Sequence, residues 1–252
     1  MVRPNAFFSR FAPVIACLLA ALWAGPGLAQ SPASALVLNT DGAPPHSRPG
    51  DTGFEDRIIL EAFRRIGVPV RLVRLPSERA LKNADQGVDD GNYVRIAGLS
   101  SQYPNLIRVP EPMSEFSFTA FTRNPAIATA TWNDLRGRDV GLVTGWKLAE
   151  QNLANAPHVS RVRDEEALFA LLDKGRVEVV VSSLHTGGEI VRRHGYRNVR
   201  ALSPPLAVVP MYLYMNKKHA GLVPLLDQAL RHMRQDGSLQ RFTALGLQEA
   251  PQ

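Results

Sequence analysis

The chain has one cysteine, Cys17, among 252 residues, and it sits inside the first apolar run. A protein cut behind that run has no disulfide, no thiolate metal ligand and no cysteine nucleophile, so packing alone must hold it together. A Walker loop, G-x-S-x-G and H-E-x-x-H are also missing, and the six histidines (His46, His158, His185, His194, His219, His232) show no metal-ligand spacing. Neither a metal nor a cofactor is expected. Beyond the N-terminus no stretch is apolar over the roughly 20 residues that span a bilayer as a helix. The basic excess is small, 29 Lys plus Arg against 23 Asp plus Glu. These arginines are scattered among acids without an aromatic-interleaved basic block, which argues against nucleic acid as a partner.

What is present starts with an export signal over residues 1–29. Arg3 and Arg10 precede the apolar run Phe11 to Ala24, Gly25-Pro26-Gly27 breaks it, and Gly27-Leu28-Ala29 puts small residues before Gln30 where a signal peptidase cuts. The run is too short for a membrane anchor. Val14-Ile15-Ala16-Cys17 loosely matches a lipoprotein signal, but Leu18 to Trp23 stay apolar beyond the cysteine. Cleavage near Ala29 is therefore expected, with the mature chain in the periplasm. Loss of Arg3 and Arg10 leaves 27 basic against 23 acidic residues, or +4.

The mature part reads as α/β. Leu36 to Asn39 is a short strand that breaks at Asp41-Gly42-Ala43-Pro44-Pro45. Thr52-Gly53-Phe54-Glu55 has capping-box spacing, and Phe54, Ile58, Ile59, Ala62, Phe63 and Ile66 fall on one helical face that ends at Gly67. Val68 to Leu75 alternates as a half-buried strand, Ser77 is the expected N-cap of a second helix, and Asp89-Asp90-Gly91 turns into a strand over Asn92 to Leu99. The pattern resumes with a strand at Asp139 to Val143 and Thr144-Gly145-Trp146 opening a helix. A helix capped by Asp164 and stopped at Gly175 follows, then a strand at Val177 to Val181. Tyr212 to Met215 is a further strand, and Leu222 to Met233 a helix stripe ended by Gly237. Strand-helix-strand repeats imply parallel sheets with helical crossovers.

Six stretches in this order resemble the bacterial extracellular solute-binding proteins of family 3, the polar amino-acid-binding type. They are Thr52-Gly53-Phe54 through Ile66-Gly67, Leu75-Pro76-Ser77-Glu78-Arg79-Ala80-Leu81, Gly87-Val88-Asp89-Asp90-Gly91, Tyr103-Pro104-Asn105-Leu106, Trp132 through Gly141, and Leu171 through Glu178. The resemblance implies a two-lobed periplasmic-binding-protein-like fold, each lobe a mostly parallel sheet flanked by helices, joined by a two-segment hinge. Lobe one would be 34–120 plus 212–252 and lobe two 125–204, with hinges near 121–124 and 205–211. It further implies a monomer that takes a small polar or anionic solute, of the amino-acid or carboxylate class, into the interlobe cleft. Such a protein presents its solute to the permease of an ABC transporter. The alternatives are a periplasmic sensor feeding a signalling receptor, or a dehydratase-like enzyme with Glu78 as proton-transfer group and Arg95 as carboxylate clamp.

Arg95 is the leading ligand candidate, since a guanidinium grips a carboxylate through two parallel bonds; an exposed strand arginine, or a structural pair with Asp89 or Asp90, is the alternative. Arg79 and Glu78 sit in the first turn after Pro76, at the carboxyl end of a strand. Thr144, Gly145 and Trp146 offer free backbone N–H groups for an anion and a ring for stacking. Asn39 and Asp41 follow the first strand. His46 stands where the resembled family often has an aromatic residue, and it is expected at the surface. Ser182 and Ser183 stand where that family commonly places an aspartate for an α-ammonium group, with no carboxylate until Glu189. That departure favours a carboxylate or another anion over a zwitterion.

Overall fold

The computed structural model describes residues 34–128 and 131–248, and the expected export signal lies outside them. The first elements are β1 (Leu36–Thr40), α1 (Phe54–Arg65), β2 (Val70–Arg74), α2 (Ser77–Asp85), β3 (Gly91–Arg95) and β4 (Leu106–Arg108). Helix α1 buries Phe54, Ile58, Ile59, Ala62 and Phe63, the face its spacing marks out, and Gly67 follows its end at φ +69°. Its start differs from expectation. Gly53 rather than Thr52 is the N-cap, and the Asp56 carboxylate accepts the Gly53 N–H at 3.1 Å. A Cβ at position 53 would lie 2.3 Å from the His46 carbonyl oxygen, so glycine is required there. In α2 the N-cap is Pro76, and the Ser77 hydroxyl accepts from Arg95 instead of capping the helix.

The chain continues through β5 (Ser114–Thr122), α3 (Trp132–Leu135), β6 (Val140–Val143), α4 (Lys147–Asn152), β7 (Val159–Val162), α5 (Glu165–Asp173), β8 (Val179–Ser183) and α6 (Leu184–His194). It ends with β9 (Arg200–Ala201), β10 (Ala207–Asn216), α7 (Val223–Gln235) and α8 (Ser238–Gln248). Asp164 caps α5, accepting the Ala167 N–H at 2.8 Å as its sequence position implies. Helix α8 packs on α1, where a Cβ on Gly246 would come within 2.5 Å of the Phe54 Cβ.

The strands form one path, β2-β1-β3-β10-β5-β8-β6-β7, with β4 beside β10 and β9 beside β5. Strand β1 is parallel to β2 and β3, and β6 is parallel to β7 and β8. These parallel groups are the expected crossover units. Between them run β5 and β10, each antiparallel to its neighbours. Through Tyr212–Asn216, β10 belongs to the first half-sheet, beside β3 and β4. Through Ala207–Met211 it pairs with Ser114–Phe118 of β5, and β5 goes on to pair with β8 through Phe118–Thr122. A two-stranded ribbon, 114–118 against 207–211, thus joins the half-sheets. Phe121 and Thr122 pair with Val180 and Val179 inside the second one. That half-sheet has its own apolar cluster, including Phe121, Val143, Leu168, Phe169, Leu172 and Val180. Among the described residues no helix is long and apolar enough to cross a membrane.

Candidate functional site

A narrow cleft lies where the two half-sheets and the joining ribbon meet, about 520 Å³ only when the open solvent at its mouth is counted. The loop after β1 contributes Asp41, Ala43 and His46, and β3 and the segment after it contribute Val94, Arg95 and Leu99. From the opposite side come Gly145, Trp146 and Lys147 at the start of α4, Glu165 at the start of α5 and Thr186 in α6. Phe116 and Phe118 of β5 and Met211 of β10 complete it. Alternation puts Phe116 and Phe118 on one face of their strand. Trp146 stands edge-on to both, with ring centroids 5.4 and 5.8 Å away.

Val94 carries φ +64°, a rare conformation for a β-branched residue, and the β3–β10 register shifts between Tyr212 and Tyr214 beside it. This local irregularity precedes Arg95, which is 5% exposed. Its guanidinium lies 2.9 Å from Asp41 Oδ1, donates to Ser77 Oγ at 2.8 Å and donates through Nε to Asn92 Oδ1. The partner is therefore Asp41, not Asp89 or Asp90. The other Asp41 oxygen accepts the Trp146 indole N–H at 2.9 Å, which ties the two sides together.

Three further contacts cross the cleft. His46 Nε2 lies 2.8 Å from Ser183 Oγ, Lys147 donates to Glu78 at 2.7 Å, and Arg48 donates to Glu189 at 2.9 Å. His46, expected at the surface, is 2% exposed, because the loop after β1 folds it against Phe54 and Phe116. Its Nδ1 lies 3.3 Å from Glu55 Oε1, close enough for an ion pair though not aligned as a hydrogen bond. Burial works to lower the His46 pKa, but the Glu55 carboxylate, with Glu165 and Asp41 farther off, outweighs it and raises the value.

Glu165 is the residue that sequence reasoning missed. It is buried at the wall of the cleft, 7% exposed, and its Oε1 accepts from the Ser182 hydroxyl and, at 3.4 Å, from the Ser183 N–H. A carboxylate thus stands beside the two serines after all, brought by α5 rather than by the strand they end. Burial pushes its pKa up to about 7 against the opposing pull of Ser182 and His46. In sequence, Asp164-Glu165-Glu166 reads as an acidic first helical turn facing solvent; nothing local marks Glu165 as enclosed. Phe116 and Phe118 did carry a signal, their alternation with Glu115, Ser117 and Thr119.

The remaining candidates are dispersed. Asn39 is buried within β1 and donates to Ala80 O and Asp89 Oδ2, which makes it part of the first half-sheet's interior. Arg79 is exposed on α2 and does not line the cleft. Glu78 is half-buried at the rim, held by Lys147 and Tyr103. Burial raises and Lys147 lowers its pKa, with a net lowering. Thr144 lies just outside, its N–H bonded to Val162 O. The Gly145 and Trp146 N–H groups before α4 are not free: Gly145 donates to Glu150 Oε1 at 2.7 Å and Trp146 to Val143 O. The chain's own carboxylate fills the place foreseen for an anion.

Strand order, joining ribbon and shared cleft together define a two-lobed α/β fold of the periplasmic-binding-protein kind. The chain has a TM-score of 0.75 to the GluR0 ligand-binding core in complex with L-glutamate, at 16% identity over 86% of this chain and all of the other. It has 0.73 to a histidine kinase sensor domain with similarity to periplasmic binding proteins, at 18% identity over 85% and 96%. To the arginine-, lysine-, histidine-binding protein ArtJ of Geobacillus stearothermophilus the score is 0.70, at 17% identity over 86% and 97%. In sequence the chain is 28% identical to an uncharacterized protein of Shewanella oneidensis over 197 residues, 75% of this chain and 74% of that one. No protein-family model matches.

Proposed function

We propose that the chain is an exported solute-binding protein that closes on a small polar solute between its lobes and presents it to a membrane partner, the permease of an ABC transporter. One observation carries this reading: a single cleft draws side chains from both half-sheets and from both strands that join them. A solute held there touches both lobes only when they are together, so its extra contacts favour the closed arrangement. The 114–118/207–211 ribbon is the natural hinge, because it is where the β-ladder narrows to two strands. The cross-cleft contacts of Trp146, Lys147, Arg48 and His46 are the closure contacts. A binding role rather than catalysis is supported by the solved structures of like fold, which are ligand-binding proteins and a sensor domain.

Trp146 supplies the readout. Purified mature protein is screened by thermal shift against amines, amino acids and carboxylates, and hits are titrated by tryptophan fluorescence. A solute present at 100 times its Kd is expected to stabilise the fold by about 2.7 kcal/mol and to alter the Trp146 emission. If no compound shifts the melting temperature, or if shifts persist undiminished in a Trp146→Ala/Phe116→Ala variant that still folds, the cleft is not the binding site.

A further inference from the structure

Charge pairing in the cleft is complete except at one residue. Asp41 has Arg95, Lys147 has Glu78 and Glu150, and His46 has Glu55. Glu165 has no cation. Among the described residues its hydrogen bonds are from Ser182 and the Ser183 N–H, both to Oε1, which leaves Oε2 turned to the cleft rather than to a protein donor. Nearby, the Thr186 hydroxyl lines the same cleft, is 1% exposed and has no hydrogen-bond partner. Buried polar atoms without partners are uncommon and call for an explanation. The Thr186 hydroxyl is such an atom, and with the unbonded Glu165 oxygen in the same cleft it can accept from a donor with positive charge.

An anion finds no equivalent place. To grip a carboxylate, Arg95 would have to release Asp41, which would leave a second uncompensated acid beside Glu165. Lys147 and the Gly145 N–H already serve Glu78 and Glu150. The opposite holds for an ammonium group, which needs acceptors and tolerates aromatic walls. Phe116, Phe118 and Trp146 furnish those walls.

We propose that the cleft selects a compact organic ammonium ion without a carboxylate, its charged head held by Glu165 and Thr186 and its apolar body set against Phe116, Phe118 and Trp146. This rests on the reading of the cleft as the binding site and narrows the solute to amines. The test is calorimetry at pH 8 with three probes that share one body, phenethylamine, phenylalanine and phenylacetate, together with ethanolamine and putrescine to vary size. Wild type, Glu165→Gln and Thr186→Val are compared, each first shown to be folded by circular dichroism.

At least one amine is expected to bind tenfold or more tightly than either carboxylate-bearing probe. Glu165→Gln should weaken that amine at least tenfold, and Thr186→Val several-fold. The proposal is overturned if phenylacetate or phenylalanine binds better than every amine, if no amine binds, or if Glu165→Gln leaves amine affinity unchanged. Binding of phenylacetate or phenylalanine that alters Trp146 fluorescence would overturn the ammonium assignment while leaving the solute-binding reading intact. Absence of binding by these probes and by every compound of the thermal-shift screen would remove both.

Discussion

Glu165 is a carboxylate taken out of water without a cation, so folding becomes less favourable as it ionises. Its pKa is about 7 in the folded protein against an ordinary 4.5. The native state therefore holds the proton more tightly, and the stability this represents is full below about 4.5 and lost as pH rises through 7. The span corresponds to about 3 kcal/mol. Glutamine keeps an acceptor for Ser182 and cannot ionise, so Glu165→Gln is expected to be more stable than wild type by about 3 kcal/mol at pH 8 and about equal at pH 4. Urea midpoints across that range check it, and parallel profiles would refute it; His46 titrates in both proteins and loses the upward pull of Glu165 in the variant, so the difference reports the coupled pair. Several residues singled out one by one in the sequence, Arg95, Asp41, Gly145 and Trp146 among them, line the cleft. Their partners were not legible in the sequence, because Asp41–Trp146 and His46–Ser183 join segments over a hundred residues apart. An arginine read as a ligand clamp is spoken for only once its acid is seen.

At the scale of elements, the segment before α4 packs tightly on the start of α2. Gly145, at φ +94° just before α4, faces the start of α2, and a Cβ there would lie 2.5 Å from Glu78 N and 2.8 Å from Ser77 Oγ. An alanine would collide with helix backbone and carry an unfavourable left-handed conformation costing roughly 1–2 kcal/mol. The collision opposes the closed arrangement and vanishes when the lobes part, whereas the backbone cost falls on the fold in either arrangement. Gly145→Ala is therefore expected to weaken solute binding by tenfold or more with little loss of secondary structure, as calorimetry and circular dichroism would show; unchanged affinity would mean that this contact is not part of the bound state. Periodicity exposed β1, β2, β3, β6 and the stripes of α1, α5 and α7, since each carries a complete local pattern. It failed at the joining ribbon. Pro210 interrupts β10, so only Tyr212–Met215 read as strand, and β5 went unread although Phe116 and Phe118 alternate. Helix α6 was hidden by Gly187-Gly188, where a Cβ on Gly187 would lie 2.4 Å from Phe121 Cζ, so tertiary packing overrides helix propensity.

For the whole molecule, the closure proposed above is a balance among contacts that exist only when the lobes meet. Arg48, in the loop between β1 and α1, reaches Glu189 of α6, and the pair is 18% and 5% exposed. In an open arrangement both groups regain water, so the pair contributes to closure only what its Coulomb attraction returns after desolvation. Removing one partner is different, because closure then buries Glu189 uncompensated. Breaking a buried pair this way costs about 3–5 kcal/mol, and the partial exposure of Arg48 reduces that to roughly 2 kcal/mol. Since apparent affinity falls with the fraction of molecules able to close, Arg48→Ala is expected to bind solute roughly 30-fold more weakly. Its unliganded form should have a larger radius of gyration by small-angle scattering. Adding Glu189→Gln removes the stranded charge and should recover most of the loss, which a purely local role for Arg48 in its own loop would not allow. Equal scattering profiles and equal affinities in wild type and Arg48→Ala would show that this pair takes no part in holding the lobes together.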